Sequence, residues 1–104
     1  MKRSITTKDF KKILFNSKSL LVRDLLFYYQ DNRSGVSFIV SKKLGNAVLR
    51  NQFKRRCRAL FLQKNKTYHK TLQIIVRPQK KLQNNYSWNE LISTFDEFYI
   101  KLEQ

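Results

Sequence analysis

The sequence contains 104 residues, of which 22 are Lys or Arg and only 7 are Asp or Glu, so its formal net charge is +15. This length suits one domain, and a hydrophobic content of 41% supports a folded core, which excludes a second core and a disordered basic tail. The longest apolar run, Leu25–Tyr29, excludes a transmembrane protein, because a membrane helix needs about 20 apolar residues.

The N-terminal residues and the cysteine content bear on the compartment. Residues 1–7 are basic, but no apolar stretch follows them, so we expect no secretory signal. Cys57 is the only cysteine, which excludes an internal disulfide and a zinc site made of cysteines. We therefore expect a cytoplasmic protein.

The acidic residues are distributed unevenly along the chain. From Asn32 to Asn89 there is no Asp or Glu, but there are 14 Lys and Arg residues. A segment of this charge repels itself unless a polyanion binds to it, and nucleic acid is the polyanion that we expect. A basic face that is only solvated is the simpler alternative, and an anionic membrane surface is another.

The first predicted elements are a short helix and a strand. The helix covers about residues 7–15, because Phe10, Ile13 and Leu14 repeat at helical spacing and give it one apolar face. The stretch Leu20–Tyr29 then alternates apolar and aromatic residues, which is typical of a strand.

The middle of the chain predicts two more strands with a long helix between them. A turn cluster at residues 31–35 precedes the second strand, Val36–Val40, so the first two strands predict an antiparallel hairpin. A long helix follows from Asn46, its predicted N-cap, to about Gln63. The third strand is Leu72–Val76, shortly before Pro78.

A final helix begins at the capping box Ser87–Glu90. Its apolar stripe is predicted to be core: Trp88, Leu91, Ile92, Phe95, Phe98, Tyr99 and Leu102. The fold class is therefore α+β, a single-domain α-β-β-α-β-α sandwich in which three helices pack against a small central sheet.

The long middle helix is the part of the sequence that indicates function. Its narrow apolar arc is formed by Leu49, Phe53, Cys57 and Leu60. Beside the arc, two polar ridges follow the helical spacing: Arg50, Lys54 and Arg58, and next to them Asn51 and Arg55. Like charges at this spacing destabilise a helix by a few tenths of a kcal/mol per pair, which a bound polyanion offsets. Lys42 and Lys43 precede the helix N-terminus, where free N–H groups also favour phosphate.

The run Lys42–Arg56, which reads KKLGNAVLRNQFKRR, closely resembles the signature of the bacterial ribonuclease P protein component family. That signature is K-K-x-G-x-A-V-x-R-N-x-x-K-R, with a further Arg that is Arg58 here, and every specified position is present. The resemblance continues along nearly the whole chain, including Phe10, Arg23 and Tyr28.

The resemblance implies a single RNA-binding domain over residues 1–104 that is the protein subunit of a ribonucleoprotein endonuclease. Such an enzyme removes the 5′ leader of precursor tRNA by Mg²⁺-dependent hydrolysis. The catalytic RNA holds the Mg²⁺, and the protein has no catalytic residue of its own. One monomeric protein binds each RNA, with neither DNA nor a membrane as a partner. The family fold has an unusual left-handed β-α-β crossover around the basic helix.

The resemblance also implies two sets of binding residues. One set contacts the catalytic RNA: Lys42, Lys43, Arg50, Asn51, Lys54, Arg55 and Arg58. The other set holds the single-stranded 5′ leader in a cleft between the first helix and the sheet: Phe10, Leu14 and Tyr28. Leu14 departs from the family, which often has Phe at this position. We expect this difference to weaken or shift part of the platform, the set of side chains on which the leader bases stack.

Several alternatives stay open at this point. A structural RNA-binding protein, such as a small ribosomal protein, explains the charge and the basic helix but not the complete signature. A DNA-binding regulator is less compatible, because no helix-turn-helix partner closely precedes the basic helix. From the residues alone, Phe10 and Tyr28 are more often core than stacking platforms.

Independent protein catalysis is not expected. His69 lies in a polar loop without a carboxylate nearby in sequence, and Cys57 lies on the apolar arc, so we expect a surface histidine and a buried thiol. The scattered acids do not form the carboxylate cluster of a metal-dependent nuclease.

Overall fold

The computed structural model describes residues 17–31, 33–83 and 85–104. The predicted helix over residues 7–15, with Phe10 and Leu14, lies outside these ranges. Along the chain the elements are β1 (Lys18–Val22), β2 (Leu25–Asp31), β3 (Gly35–Phe38), a 3-10 helix (Lys42–Leu44), α1 (Ala47–Asn65), β4 (Leu72–Pro78) and α2 (Trp88–Leu102). No helix in the described ranges has the length and apolar character needed to cross a membrane.

The four strands form one sheet in the order β1-β2-β4-β3. Strands β1, β2 and β4 pair antiparallel, whereas β3 pairs parallel to β4. Six of the seven residues of β4 are buried, which is typical of a strand with neighbours on both sides. Helix α1 connects the adjacent parallel strands β3 and β4, so that the basic helix is the crossover of a β-α-β unit. The left-handedness that the resemblance implies stays a prediction.

The predicted hairpin between the first two strands is wrong. The stretch Leu20–Tyr29 holds two strands, β1 and β2, which are separated by a turn at Arg23 and Asp24 and pair with each other. Strand β4 lies between β2 and β3, so these two strands are not neighbours. The physical reason is that the fully buried apolar run of β4 has to occupy an inner position, which leaves the short β3 at the edge.

Helices α1 and α2 pack on the same face of the sheet. The side chains that they bury against it are Phe53, Cys57, Leu60 and Phe61 from α1, and Leu91, Phe95, Phe98 and Tyr99 from α2. The Phe27 ring on β2 stacks on Phe98, with ring centroids 4.0 Å apart, and meets Phe95 edge-on at 5.3 Å. The predicted apolar arc of the basic helix is confirmed, with Leu49 half-buried at its start.

Both predicted helix starts are confirmed, but one predicted core residue is wrong. Asn46 Oδ1 accepts a hydrogen bond from Leu49 N at 2.9 Å, and Ser87 Oγ accepts one from Glu90 N at 3.2 Å. Trp88 is 41% exposed. Because helical side chains lean toward the N-terminus, the side chain of this first helical residue extends past the end of the packed stripe.

The β1–β2 turn offers a test of backbone strain at Arg23. The φ of Arg23 is 54°, in the left-handed region that a residue with a Cβ adopts only at a cost. Arg23→Gly and Arg23→Ala both remove the exposed ion pair with Glu97, whose atoms are 3.3 Å apart, but only glycine accepts this φ without strain. We expect the Gly variant to have the higher free energy of unfolding, by about 0.5–1 kcal/mol. Urea unfolding measures the free energy of unfolding of the two variants. A more stable Ala variant would contradict the expectation.

Candidate nucleic-acid interface

The residues from Lys42 to Arg58, hereafter the basic segment, begin in a tight turn. Ser41 Oγ accepts a hydrogen bond from Lys43 N at 3.2 Å, and Leu44 N donates to Ser41 O at 3.0 Å. These bonds form the 3-10 helix directly before α1, and they leave the side chains of Lys42 and Lys43 exposed. Two cations therefore lie immediately before the N-terminus of α1, where the helix dipole also favours an anion.

Helix α1 presents the remaining candidate residues of the basic segment. Asn51 and Arg55 are exposed, whereas Arg50, Lys54 and Arg58 are half-buried. With a rise of 1.5 Å per residue, the eight steps from Arg50 to Arg58 span roughly 12 Å of helix. The structure thus brings all seven candidate RNA-contacting residues onto one continuous segment.

Two of the arginines are oriented by contacts within the protein. Arg50 Nε donates a hydrogen bond to Gly45 O at 3.1 Å. The Arg58 guanidinium lies over the Phe38 ring, with its central carbon 5.4 Å from the ring centroid, in cation–π geometry. Because each contact restricts the side chain, these two guanidinium groups need less ordering when they bind a ligand.

The charge of the basic segment is not neutralised by carboxylates in the described ranges. The salt bridges there all lie elsewhere: Arg23–Glu97, Lys64–Asp96, Lys70–Asp31, Lys80–Asp24 and Lys101–Glu97. Most acids of the described chain thus pair with cations outside the basic segment. Carboxylates of the described chain therefore do not offset the electrostatic repulsion within the segment.

Tyr28 lies on the sheet face opposite the two helices, hereafter the Tyr28 face. Its strand neighbours Phe27 and Tyr29 both contact Phe98 of α2, and side chains alternate between faces along a strand. Tyr28 is half-buried, and its partner in register on β4 is Ile75. Because Phe10 and Leu14 lie outside the described ranges, the cleft that the resemblance implies stays a prediction.

A groove connects the Tyr28 face with the start of the basic segment. It has a volume of about 360 Å³, and its lining consists of Ile39, Val40, Ser41, Lys43, Leu44, Arg77, Pro78 and Gln79. Arg77 is exposed and pairs in register with Leu26, which places it on the Tyr28 face. Arg77 was not predicted from the sequence, because a single cation at the end of an apolar strand has no distinctive pattern.

His69 and Cys57 are the two other reactive side chains that the sequence singles out. His69 is exposed, and its ring centroid is 4.8 Å from that of Tyr68. Cys57 is buried as predicted, and its burial raises the pKa of the thiol far more than the nearby Arg58 lowers it. In the described ranges, no group of three or more His, Cys, Asp or Glu side chains is arranged to hold a metal ion.

The fold and the site together define a class of protein: a small α+β domain with a basic helix as the crossover between two parallel strands. A solved structure of this class is the ribonuclease P protein of Thermotoga maritima in complex with 1-(4-fluorophenyl)-2-thiourea. It superimposes with a TM-score of 0.81 at 25% identity, covering 93% of this chain and 96% of that chain. The similarity confirms the predicted α+β fold class.

The sequence comparisons identify the family. The family described as Ribonuclease P matches residues 2–103. The ribonuclease P protein component of Macrococcus caseolyticus (strain JCSC5402) is 38% identical over 86 residues, which is 75% of this chain and 73% of that protein. That of Streptococcus pneumoniae serotype 4 is 52% identical over 54 residues, 49% of this chain and 44% of that protein. The chain belongs to the ribonuclease P protein family, which confirms the resemblance of its sequence.

Proposed function

We propose that this chain is the protein subunit of a ribonuclease P ribonucleoprotein that removes the 5′ leader of precursor tRNA. In this proposal the basic segment binds the catalytic RNA. The observation that carries the proposal is the set of seven Lys and Arg residues on the segment, none of which pairs with a carboxylate in the described chain. A cationic surface that the protein leaves unneutralised is complementary to an RNA backbone.

Different parts of the basic segment make different contacts in this proposal. The exposed Lys42, Lys43 and Arg55 contact phosphates, and Asn51 pairs with a base edge or a 2′-hydroxyl. Arg50 and Arg58 present guanidinium groups whose orientation is already set by Gly45 O and the Phe38 ring, and each offers a planar fork that fits phosphate. Lys54 adds a cation between them.

The single-stranded leader binds on the Tyr28 face. Tyr28 supplies a half-buried aromatic ring, which together with Phe10 and Leu14 forms the predicted platform. Stacking of a base on an aromatic side chain contributes about 1–3 kcal/mol and tolerates most sequences. The groove lined by Lys43 and Arg77 then gives the leader backbone a cationic route from this face to the basic segment.

The chemistry belongs to the RNA subunit in this proposal. No group of three or more His, Cys, Asp or Glu among the described residues could hold a metal ion, and the proposal assigns no step to a metal ion on this chain. The RNA and the substrate would hold the Mg²⁺, which would supply Lewis-acid activation of the attacking water and charge stabilisation at the leaving oxygen. The protein contributes binding and positive charge, as one monomer per RNA in the cytoplasm.

A reconstituted cleavage assay tests this function. The protein is mixed with the catalytic RNA and precursor tRNA at low Mg²⁺, where a second source of positive charge matters most. We expect faster cleavage that yields tRNA with a 5′-phosphate, and no such effect from an unrelated basic protein of equal charge. Binding to ribosomal RNA without any stimulation would instead support a structural ribosomal protein.

Substitutions in the basic segment should change the salt dependence of RNA binding. For each lost phosphate contact, the slope of log K against log salt should decrease in magnitude by about one unit. We expect this for Lys54→Ala and Arg50→Ala, the latter also removing the bond to Gly45 O. Lys101→Ala is the matched control, because it removes one charge from an ion pair on α2. Equal slopes in all three variants would mean that this helix face is only solvated.

We expect the Tyr28 side chain to contribute to binding of the 5′ leader and not to binding of the body of the tRNA. We expect Tyr28→Ala to weaken binding of precursor tRNA to the ribonucleoprotein about fivefold or more, the lower end of the stacking range, and to leave mature tRNA unchanged. Tyr68→Ala is a suitable control, since Tyr68 is also a half-buried tyrosine but lies in the loop after α1. Equal losses of affinity for precursor tRNA and for mature tRNA would place Tyr28 outside the leader site.

A further inference from the structure

Tyr86 lies in the loop between β4 and α2, and its hydroxyl connects two parts of the chain that are distant in sequence. Tyr86 Oη accepts hydrogen bonds from Gln79 N and Lys80 N, both at 3.1 Å, and donates one to Asp24 O at 2.7 Å. The residue is buried, which raises the pKa of the phenol and keeps it protonated as a donor. One hydroxyl thus connects the β1–β2 turn with the chain that leaves β4.

The same loop also contacts the start of the basic segment. Leu82 N donates a hydrogen bond to Leu44 O at 2.8 Å. Leu82 Cδ1 lies only 3.3 Å from where a Cβ on Gly45 would be, so glycine allows this close approach. The ring of Tyr86 packs edge-on against Phe53 of α1, with centroids 5.4 Å apart. The loop therefore contacts both the turn before α1 and the buried side of the helix.

We propose that Tyr86 is a positioning residue that fixes the basic segment relative to the Tyr28 face. Asp24 directly precedes β2, the strand that carries Tyr28, whereas Leu44 and Gly45 lie just before Asn46, the N-cap of α1. The Tyr86 hydroxyl bonds to the first of these places and the Leu82 amide bonds to the second, and the two residues are four positions apart in the same loop. An RNA and a leader that contact both surfaces need this relative position to be constant.

This inference rests on the proposed function, and it concerns the hydroxyl rather than the ring. Tyr86→Phe keeps the packing on Phe53 and removes only the three hydrogen bonds. Gln79 N and Asp24 O still have each other as partners at 2.9 Å, so the substitution loosens the connection without leaving both groups unpaired. The chain also offers a matched control: Tyr99 is buried, and its hydroxyl has no hydrogen-bond partner in the part of the chain that the structure describes.

The experiment compares the two Tyr→Phe variants in the reconstituted ribonucleoprotein. We expect Tyr86→Phe to reduce the preference for precursor over mature tRNA about threefold to tenfold, the effect of one or so net hydrogen bonds, and to change affinity for the catalytic RNA less than twofold. Tyr99→Phe should leave both the preference for precursor tRNA and the affinity for the catalytic RNA unchanged. In the double variant with Tyr28→Ala, the effect of Tyr86→Phe on this preference should become smaller, because one aromatic ring of the platform that Tyr86 positions is gone.

A measurement without RNA tests the connection itself. Hydrogen exchange of the Leu82 amide should become faster in Tyr86→Phe but not in Tyr99→Phe, while the most protected amides of β4 keep their rates. Unchanged exchange at Leu82 would overturn the proposal. An unchanged preference for precursor over mature tRNA would also overturn the proposal. Equal losses of affinity for precursor tRNA, mature tRNA and the catalytic RNA would overturn it as well. If the wild-type protein itself neither stimulates cleavage nor favours precursor tRNA, the proposed function fails, and the positioning role fails with it.

Discussion

The rest of the structure depends on how one strongly cationic segment is held against the hydrophobic core. The charges between Lys42 and Arg58 repel one another, and no carboxylate in the described chain offsets them. What keeps the segment helical is its other side, where Phe53, Cys57 and Leu60 are almost completely buried. Burying such side chains contributes roughly 1.5–3 kcal/mol of stability each. This is far more than the few tenths of a kcal/mol that each like-charged pair costs the helix. A surface prepared for a polyanion is therefore compatible with a stable fold.

The central position of β4 organises the two surfaces. Its alternate residues Ile74 and Val76 pack under α1 and α2, whereas Ile75 and Arg77 belong to the Tyr28 face. The chain leaves β4 into the loop that carries Leu82 and Tyr86, which contacts the β1–β2 turn and the start of the basic segment. Because one strand and the loop after it connect both faces, the relative position of the two surfaces is a property of the core. It does not depend on a flexible linker.

The distribution of carboxylates complements this arrangement. Asp96 and Glu97 on α2 pair with Lys64, Arg23 and Lys101, so cations remote from the basic segment are neutralised locally. Exposed pairs of this kind add little to stability, but none of them neutralises a cation of the basic segment. In the proposed function, this distribution of charge leaves the basic segment as the docking surface for the catalytic RNA.

The sequence by itself determined what depends on local pattern. The 3.6-residue period and the caps Asn46 and Ser87 predicted both described helices, and the signature from Lys42 to Arg58 predicted the family, because these signals reside in residues close together in the chain. The folded structure was needed to show which strands pair, that Trp88 is exposed, that Arg77 lines a groove with Lys43, that Phe38 lies under Arg58 and that Tyr86 bonds to Asp24. Strand order depends on the long-range burial of β4, and the bond from Tyr86 to Asp24 joins residues 62 positions apart. Contacts of that kind are made by the folded core as a whole, and no local pattern encodes them.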